Sequence, residues 1–124
     1  MMKNVDRFFA VLLAVFGAMH AFGSLTAYAF LTPELVWALS ASGFSILIAV
    51  LNFIRAGRPE DRTLAWVCFT GCIVWAVVAF AFGASIGNLA DPRADLHALA
   101  AVVLAVFSLR AAMGRDTLRV AAVE

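Results

Sequence analysis

The chain has 124 residues, of which 65% are hydrophobic and only 14% are charged. Soluble domains average about 45–50% apolar and about 25% charged residues, and a water-soluble chain this short has too little interior to bury so many apolar side chains. The net charge is +1 and no long basic cluster occurs, which argues against nucleic acid as a partner. The composition therefore predicts a single integral membrane domain in a lipid bilayer.

The first long apolar segment covers residues 8–31, between Arg7 and Glu34, and contains no fixed charge. At about 1.5 Å per helical residue, it exceeds the roughly 30 Å of a bilayer's hydrocarbon core. Because Lys3 and Arg7 precede it and Ala27-Tyr28-Ala29 stands near its end, a cleaved secretory signal is an alternative interpretation. The length of the segment favours a retained membrane span.

Three further apolar segments follow, at about residues 35–54, 64–86 and 92–113. Thr32-Pro33 and Asp91-Pro92 precede the second and the fourth, and a capping side chain followed by proline is typical of a helix start. The chain is therefore predicted to be all-α, an integral membrane four-helix bundle made of two helical hairpins. Asp95 and Arg110 stand near the ends of the fourth segment, where they would reach the headgroup layers.

The basic residues predict the orientation of the bundle. With four spans, eight of the nine basic residues fall on one side of the membrane, and only Arg93 falls on the other. Cytoplasmic loops carry such an excess, so both termini should be cytoplasmic (N-in/C-in), most simply in a bacterial inner membrane. The same charge bias explains Arg55, Arg58 and Arg62. Asn52, one turn before Arg55, is expected to bond across helices or to lipid headgroups. The eight residues are Lys3, Arg7, Arg55, Arg58, Arg62, Arg110, Arg115 and Arg119.

Small residues recur every three or four positions, which lets helices approach closely in lipid, where burial from water supplies no attraction. We expect these seams to pack the helices within the bundle, although they also suit a homo-oligomer or a larger membrane complex. Cys68 and Cys72, one helical turn apart, are expected to be unpaired small apolar residues rather than a disulfide. The clearest seam positions are Ala98, Ala101, Ala105 and Ser108 in the fourth segment, with Gly83 and Gly87 in the third.

His20 lies near the middle of the first segment, where a polar group without a partner is costly. Ser24 and Tyr28 follow at four-residue steps, so the three side chains form a polar stripe on one helix face. The stripe predicts a ligand or proton path that reaches the membrane midplane. Alternatively, His20 is a structural residue that bonds to a neighbouring helix.

His97 is expected to lie near the outer end of the fourth span, roughly 10 Å from the depth of His20. That difference in depth argues against a bis-histidine haem, and no further ligands complete a metal site. We therefore expect no cofactor and no metal.

The sequence contains no recognisable catalytic arrangement, because no carboxylate lies within the core of a span to orient a serine or a histidine. The preferred hypothesis is a non-enzymatic interaction or accessory subunit that packs through its small-residue seams. The alternative is a small oligomeric transporter or channel that uses His20 with Ser24, Tyr28 and His97. A redox or lipid-modifying enzyme would rest only on two histidines and two cysteines.

Overall fold

The computed structural model describes residues 2–114, which form four α-helices: α1 (Met2–Ala27), α2 (Pro33–Gly57), α3 (Arg62–Ser85) and α4 (Pro92–Met113). Each helix is long and apolar enough to cross a membrane. The all-α architecture with four candidate spans is thereby confirmed, and the predicted bounds of the fourth helix coincide with the observed ones. Arg115 and Arg119, two of the basic residues used to predict orientation, lie outside the described residues.

Helix α1 differs most from its prediction, since it begins six residues earlier and ends four residues earlier. Its early start is stabilised because Asp6 finds a buried cationic partner in α2, so a charged residue is accommodated within the helix. Its early end coincides with a turn in which Leu31 has a φ of 60°, outside the helical region. Thr32 then caps α2 as expected, with its hydroxyl oxygen accepting from the Leu35 amide at 3.4 Å.

The other helix ends are also set by specific residues. Aspartates cap α3 and α4: Asp61 accepts from the Leu64 amide and Asp91 from the Arg93 amide, both at 2.9 Å. Helix α3 ends at Ser85 in a Schellman turn, in which the Asn88 amide donates to the Gly83 carbonyl at 2.9 Å.

The turn after α3 corrects one sequence prediction. Gly87 has a φ of +68°, a conformation that glycine adopts without strain. It lies beyond the end of α3, so the prediction that it belongs to a helix seam is wrong. Gly83 lies within α3, where a Cβ atom would come within 3.1 Å of the Asn88 carbonyl oxygen.

Helix α1 packs mainly against α2, and α3 packs mainly against α4, with smaller contacts between the two pairs. The predicted seam of α4 lies inside the bundle, with Ser108 and Ala101 fully buried. Small side chains dominate the core, so the helix backbones approach closely. The core comprises Ala10, Leu13, Ile48, Ala49, Cys72, Trp75, Ala76, Ala100, Ala101, Leu104 and Ala105.

Two polar contacts lie at the same end of the bundle, where α1 and α3 begin and α2 and α4 end. The start of α1 meets the end of α2 through Asp6 and Arg55, and the start of α3 meets the end of α4 through Arg62 and the Ala112 carbonyl. We call this end, which also carries Lys3, Arg7, Arg58 and Arg110, the basic end. The turns that follow α1 and α3 form the opposite end.

Candidate functional site

A cleft penetrates the half of the bundle nearer the opposite end. One lobe, of about 120 Å³, lies against α3, and the other, of about 360 Å³, lies mainly between α1 and α4. Four side chains border both lobes, namely His20, Phe82, Arg93 and His97. We call this space the histidine cleft. The larger lobe falls within the roughly 300–1,000 Å³ range of small-molecule sites.

The two histidine rings face each other across the cleft. Their centroids lie 6.3 Å apart and their planes are inclined at 80°. The predicted 10 Å separation in depth is therefore wrong. It assumed that α1 continues to residue 31, whereas α1 ends at Ala27. His20 consequently lies about 10 Å from the end of α1, and His97 lies about 8 Å from the start of α4.

His97 is held in place by neighbours on α3 and α1. The indole N–H of Trp75 donates to His97 Nδ1 at 3.2 Å, so the neutral imidazole carries its proton on Nε2. The ring also lies within hydrogen-bonding reach of the Phe16 main chain. The Trp75 and Phe16 rings pack against it, with centroids 5.4 and 5.5 Å away. His97 therefore connects α4 to α3 and α1, and its position is fixed.

The His20 ring differs, because it makes no side-chain hydrogen bond to any residue between 2 and 114. Its polar contact with the rest of the stripe is through the main chain, since the Ser24 hydroxyl donates to the His20 carbonyl at 2.8 Å. Tyr28 and Ser24 border the larger lobe with His20, so the predicted stripe forms one wall of the cleft. The His20 imidazole retains unused donor and acceptor capacity, which distinguishes it from His97.

Arg93 stands at the mouth of the cleft and was not predicted to belong to the site. Its Nε and a terminal nitrogen donate to the two carboxylate oxygens of Asp91 at 3.0 and 2.8 Å. These bonds lower the pKa of the Asp91 carboxyl from 3.8 to about 2. The guanidinium carbon lies 5.8 Å from the centre of the Phe82 ring. Arg93 thus presents a cation whose charge is already compensated by Asp91.

A second polar cluster, which we call the basic-end network, joins all four helices. Arg55 donates to Asp6 at 2.6 Å and to the side-chain oxygen Oδ1 of Asn52 at 3.3 Å. The Ser108 hydroxyl donates to the same Asn52 oxygen at 2.9 Å, and the Asn52 amide group donates to Cys72 Sγ at 3.3 Å. All five residues are buried, and neither lobe of the histidine cleft is lined by any of them. The network therefore stabilises the bundle rather than forming a binding site.

The basic-end network also corrects the interpretation of Arg55. This arginine is 3% exposed, so it is a buried partner of Asp6 rather than a surface cation explained by the orientation bias alone. A signal was available in the sequence, since an acidic residue precedes the first apolar segment and a basic residue ends the next, antiparallel one. Asn52 bonds across helices, one of its two expected roles.

The described residues do not form a metal centre of the usual kind. Within 2–114, no group of three or more histidine, cysteine or acidic side chains is placed to hold an ion. The two histidines alone do not offer a pair of free nitrogens, because the Trp75 bond occupies Nδ1 of His97 and leaves the proton on Nε2. Cys68 and Cys72 are buried and unpaired, as the sequence predicts.

Comparisons with known proteins give no guide to function, since no family model, curated protein or solved structure matches the chain. The histidine cleft is therefore the feature of the molecule from which a function is inferred. What the cleft offers is an imidazole with unused hydrogen-bonding groups, a second imidazole held in place, and a compensated ion pair at the mouth.

Proposed function

We propose that this protein is a small membrane transporter whose substrate site is the histidine cleft, with His20 as the polar group that contacts the substrate. The observation that carries the proposal is the contrast between the two histidines. His97 is held by Trp75, whereas the facing His20 ring has no hydrogen-bond partner within residues 2–114 and borders both lobes. His20 is half-buried and lies well inside an apolar helix, where a polar group without a partner is costly, so its unpartnered ring beside a cavity favours a ligand site.

We further propose that the four helices cross a bacterial inner membrane with the basic end in the cytoplasm. The support is the positive-inside bias, because Lys3, Arg7, Arg58 and Arg110 stand at that end and Arg93 stands at the other. Both termini are then cytoplasmic, and the histidine cleft lies in the outer half of the membrane.

A carrier that alternates between two states fits the packing better than an open channel. Between the cleft and the basic end, Leu13, Ala101 and Leu104 are fully buried and fill the interior of the bundle. The basic-end network then ties the helices together on the cytoplasmic side. This arrangement corresponds to a state that is accessible from outside and closed inside.

Cysteine labelling in intact cells tests the proposal without requiring the substrate to be known. The background chain carries Cys68→Ala and Cys72→Ser, and His20→Cys or Leu13→Cys is introduced into it. We expect a charged, membrane-impermeant thiol reagent added outside to label His20→Cys but not Leu13→Cys. Labelling of His20→Cys only after the cells are permeabilised, or equal labelling of both variants, would refute an outward-facing cleft.

The accessory-subunit hypothesis and the expected homo-oligomer stay predictions. Their main support was the small-residue seams, but Ala98, Ala101, Ala105 and Ser108 face other helices of the same chain and leave no such surface for a partner. Affinity purification in mild detergent tests both, since recovery of a monomer without other chains would contradict them.

A further inference from the structure

The histidine cleft opens toward the surface that faces lipid in the proposed orientation. The larger lobe lies between α1 and α4, where Met19 is 65% exposed and Leu96 is 47% exposed. Phe82, at the border of both lobes, is 39% exposed. In a bilayer these side chains meet acyl chains, so a molecule dissolved in the membrane reaches the cleft sideways without crossing water. Such a route favours a ligand with a substantial apolar part.

The charges of the cleft favour a ligand whose polar part is uncharged. Arg93 and Asp91 compensate each other through two hydrogen bonds, and His97 is held as a neutral imidazole. Arg93 lies within electrostatic reach of His20, but it is paired with Asp91 and its side chain is 71% exposed, so an anion beside His20 would gain little from it. A cation would meet no carboxylate among the residues that line the two lobes. A charged ligand that stays bound beside His20 would lose hydration without gaining a counter-charge, which is unfavourable, whereas a water-soluble reagent needs only to pass through the mouth of the cleft.

The groups that remain in the cleft suit a flat ring with acceptor oxygens. The His20 imidazole can donate an N–H, and Tyr28 borders the same lobe. Aromatic rings of Phe16, Phe82 and Trp75 provide apolar faces around the histidines. Aromatic side chains pack well against planar rings, in stacked or edge-on arrangements.

We propose that the histidine cleft binds an uncharged, lipid-soluble carbonyl compound of the quinone class. Its ring carbonyl accepts a hydrogen bond from His20, and its apolar tail leaves between α1 and α4. This inference rests on the proposed function, because it specifies the substrate class of the same cleft. It concerns binding only, and no electron transfer is involved.

Fluorescence of Trp75 provides a direct assay. In a chain with Trp37→Phe and Trp66→Phe, Trp75 is the remaining tryptophan and it borders the cleft. A benzoquinone with a decyl tail, titrated into the protein in lipid nanodiscs, should quench it saturably. We expect His20→Leu to weaken binding roughly 3- to 10-fold, the value of one hydrogen bond. His20→Gln, which keeps a donor, should lose less than about half of that free energy.

Matched variants and ligands separate specific binding from partition into lipid. Phe22→Leu is the protein control, because Phe22 is on α1, 71% exposed and outside the cleft lining, and its affinity should be unchanged. Decylbenzene, which lacks carbonyls, and decanoate, which is charged, should both bind at least 3-fold more weakly than the quinone. Equal quenching by decylbenzene, or no difference between His20→Leu and the unsubstituted chain, would overturn the proposal.

The failure of this inference is distinguishable from that of the proposed function. Tighter binding of decanoate than of the quinone, or no binding of the quinone, would contradict the quinone class. If an external reagent still labels His20→Cys, the transporter proposal is unaffected by that result. Absence of that labelling removes the transporter proposal itself. If His20→Leu fails to fold, as judged by circular dichroism, His20→Gln and the three ligands still decide the outcome.

Discussion

Removing the negative charge of Asp6 is the sharpest test of how the basic-end network holds the bundle. Asp6 and Arg55 are 6% and 3% exposed, and the carboxylate oxygen lies 2.6 Å from the guanidinium. Asp6→Asn would leave the Arg55 charge buried without a counter-ion. Breaking a buried pair in this way costs about 3–5 kcal/mol in the free energy of unfolding, far more than the loss of one ordinary hydrogen bond.

The pair itself contributes less than this figure, because its formation also requires desolvation of two charges. The double variant Asp6→Leu with Arg55→Met should therefore recover most of the loss, since two apolar side chains replace the ions. Arg55→Met alone should cost less than Asp6→Asn, because the neighbouring Arg7 still attracts the carboxylate. The coupling between the two positions is read from a double-mutant cycle.

The free energies of unfolding are measured in mixed detergent micelles. Circular dichroism follows the loss of helix as the fraction of denaturing detergent is raised. Glu34→Gln is the matched control: Glu34 is exposed in the first turn of α2, where its interaction with the helix dipole is worth at most about 1 kcal/mol. A loss for Asp6→Asn no greater than that of Glu34→Gln would refute the structural role of the pair. So would a double variant less stable than both single variants.

Three further predictions follow from local geometry. Gly17→Ala should destabilise by about 1–3 kcal/mol in the same assay, because its Cβ would lie 2.9 Å from Ile46 Cγ1, whereas Gly43→Ala, with no atom within 4 Å, should stabilise by up to about 1 kcal/mol. Equal effects of the two substitutions would contradict the close approach at Gly17. Because the pKa of Asp91 falls from 3.8 to about 2 on folding, its stabilising contribution should be complete above pH 3.8 and be lost as the pH falls through about 2. Asp91→Asn should abolish that part of the pH dependence, and an unchanged acid transition would contradict it. Nitrogen NMR of labelled histidine should find the His97 proton on Nε2, and Trp75→Phe should weaken that preference, because the contact with the Phe16 main chain is retained. A proton on Nδ1 of the unsubstituted chain would refute the hydrogen bond from Trp75.

The number and nature of the helices were predictable because lipid-spanning segments must be long and apolar, a property that any window of the sequence displays. Caps were predictable for the same local reason, as Thr32 and Asp91 show. The start of α1 was not predictable, because it depends on the contact of Asp6 with Arg55, which lies 49 residues further along the chain. A charged residue next to an apolar segment predicts the end of a membrane-spanning helix unless its buried partner is known.

The histidine cleft was only half predictable. The four-residue spacing predicted that His20, Ser24 and Tyr28 share one helix face; all three border the larger lobe, Tyr28 from just beyond the end of α1. The position of His97 relative to His20 depended on where α1 ends, and a four-residue error there displaced the estimate by about 6 Å. Arg93 and Trp75 were missed because neither belongs to a motif, and their roles come from packing between α3, α4 and α1.

The two ends of the bundle are joined in different ways, and this difference determines where it can open. At the basic end, Asn52 bonds to Cys72 in α3 and to Ser108 in α4, so the two helix pairs are tied by buried hydrogen bonds. In the other half, the ring of His97 bonds to Trp75 of its own pair and reaches the other pair through the Phe16 main chain, whereas the facing His20 has no side-chain hydrogen bond to the described residues. Separation of the pairs therefore costs least around the cleft. A ligand that bridges His20 and the α3–α4 pair would add a connection there, and its binding would stabilise the closed form of this half.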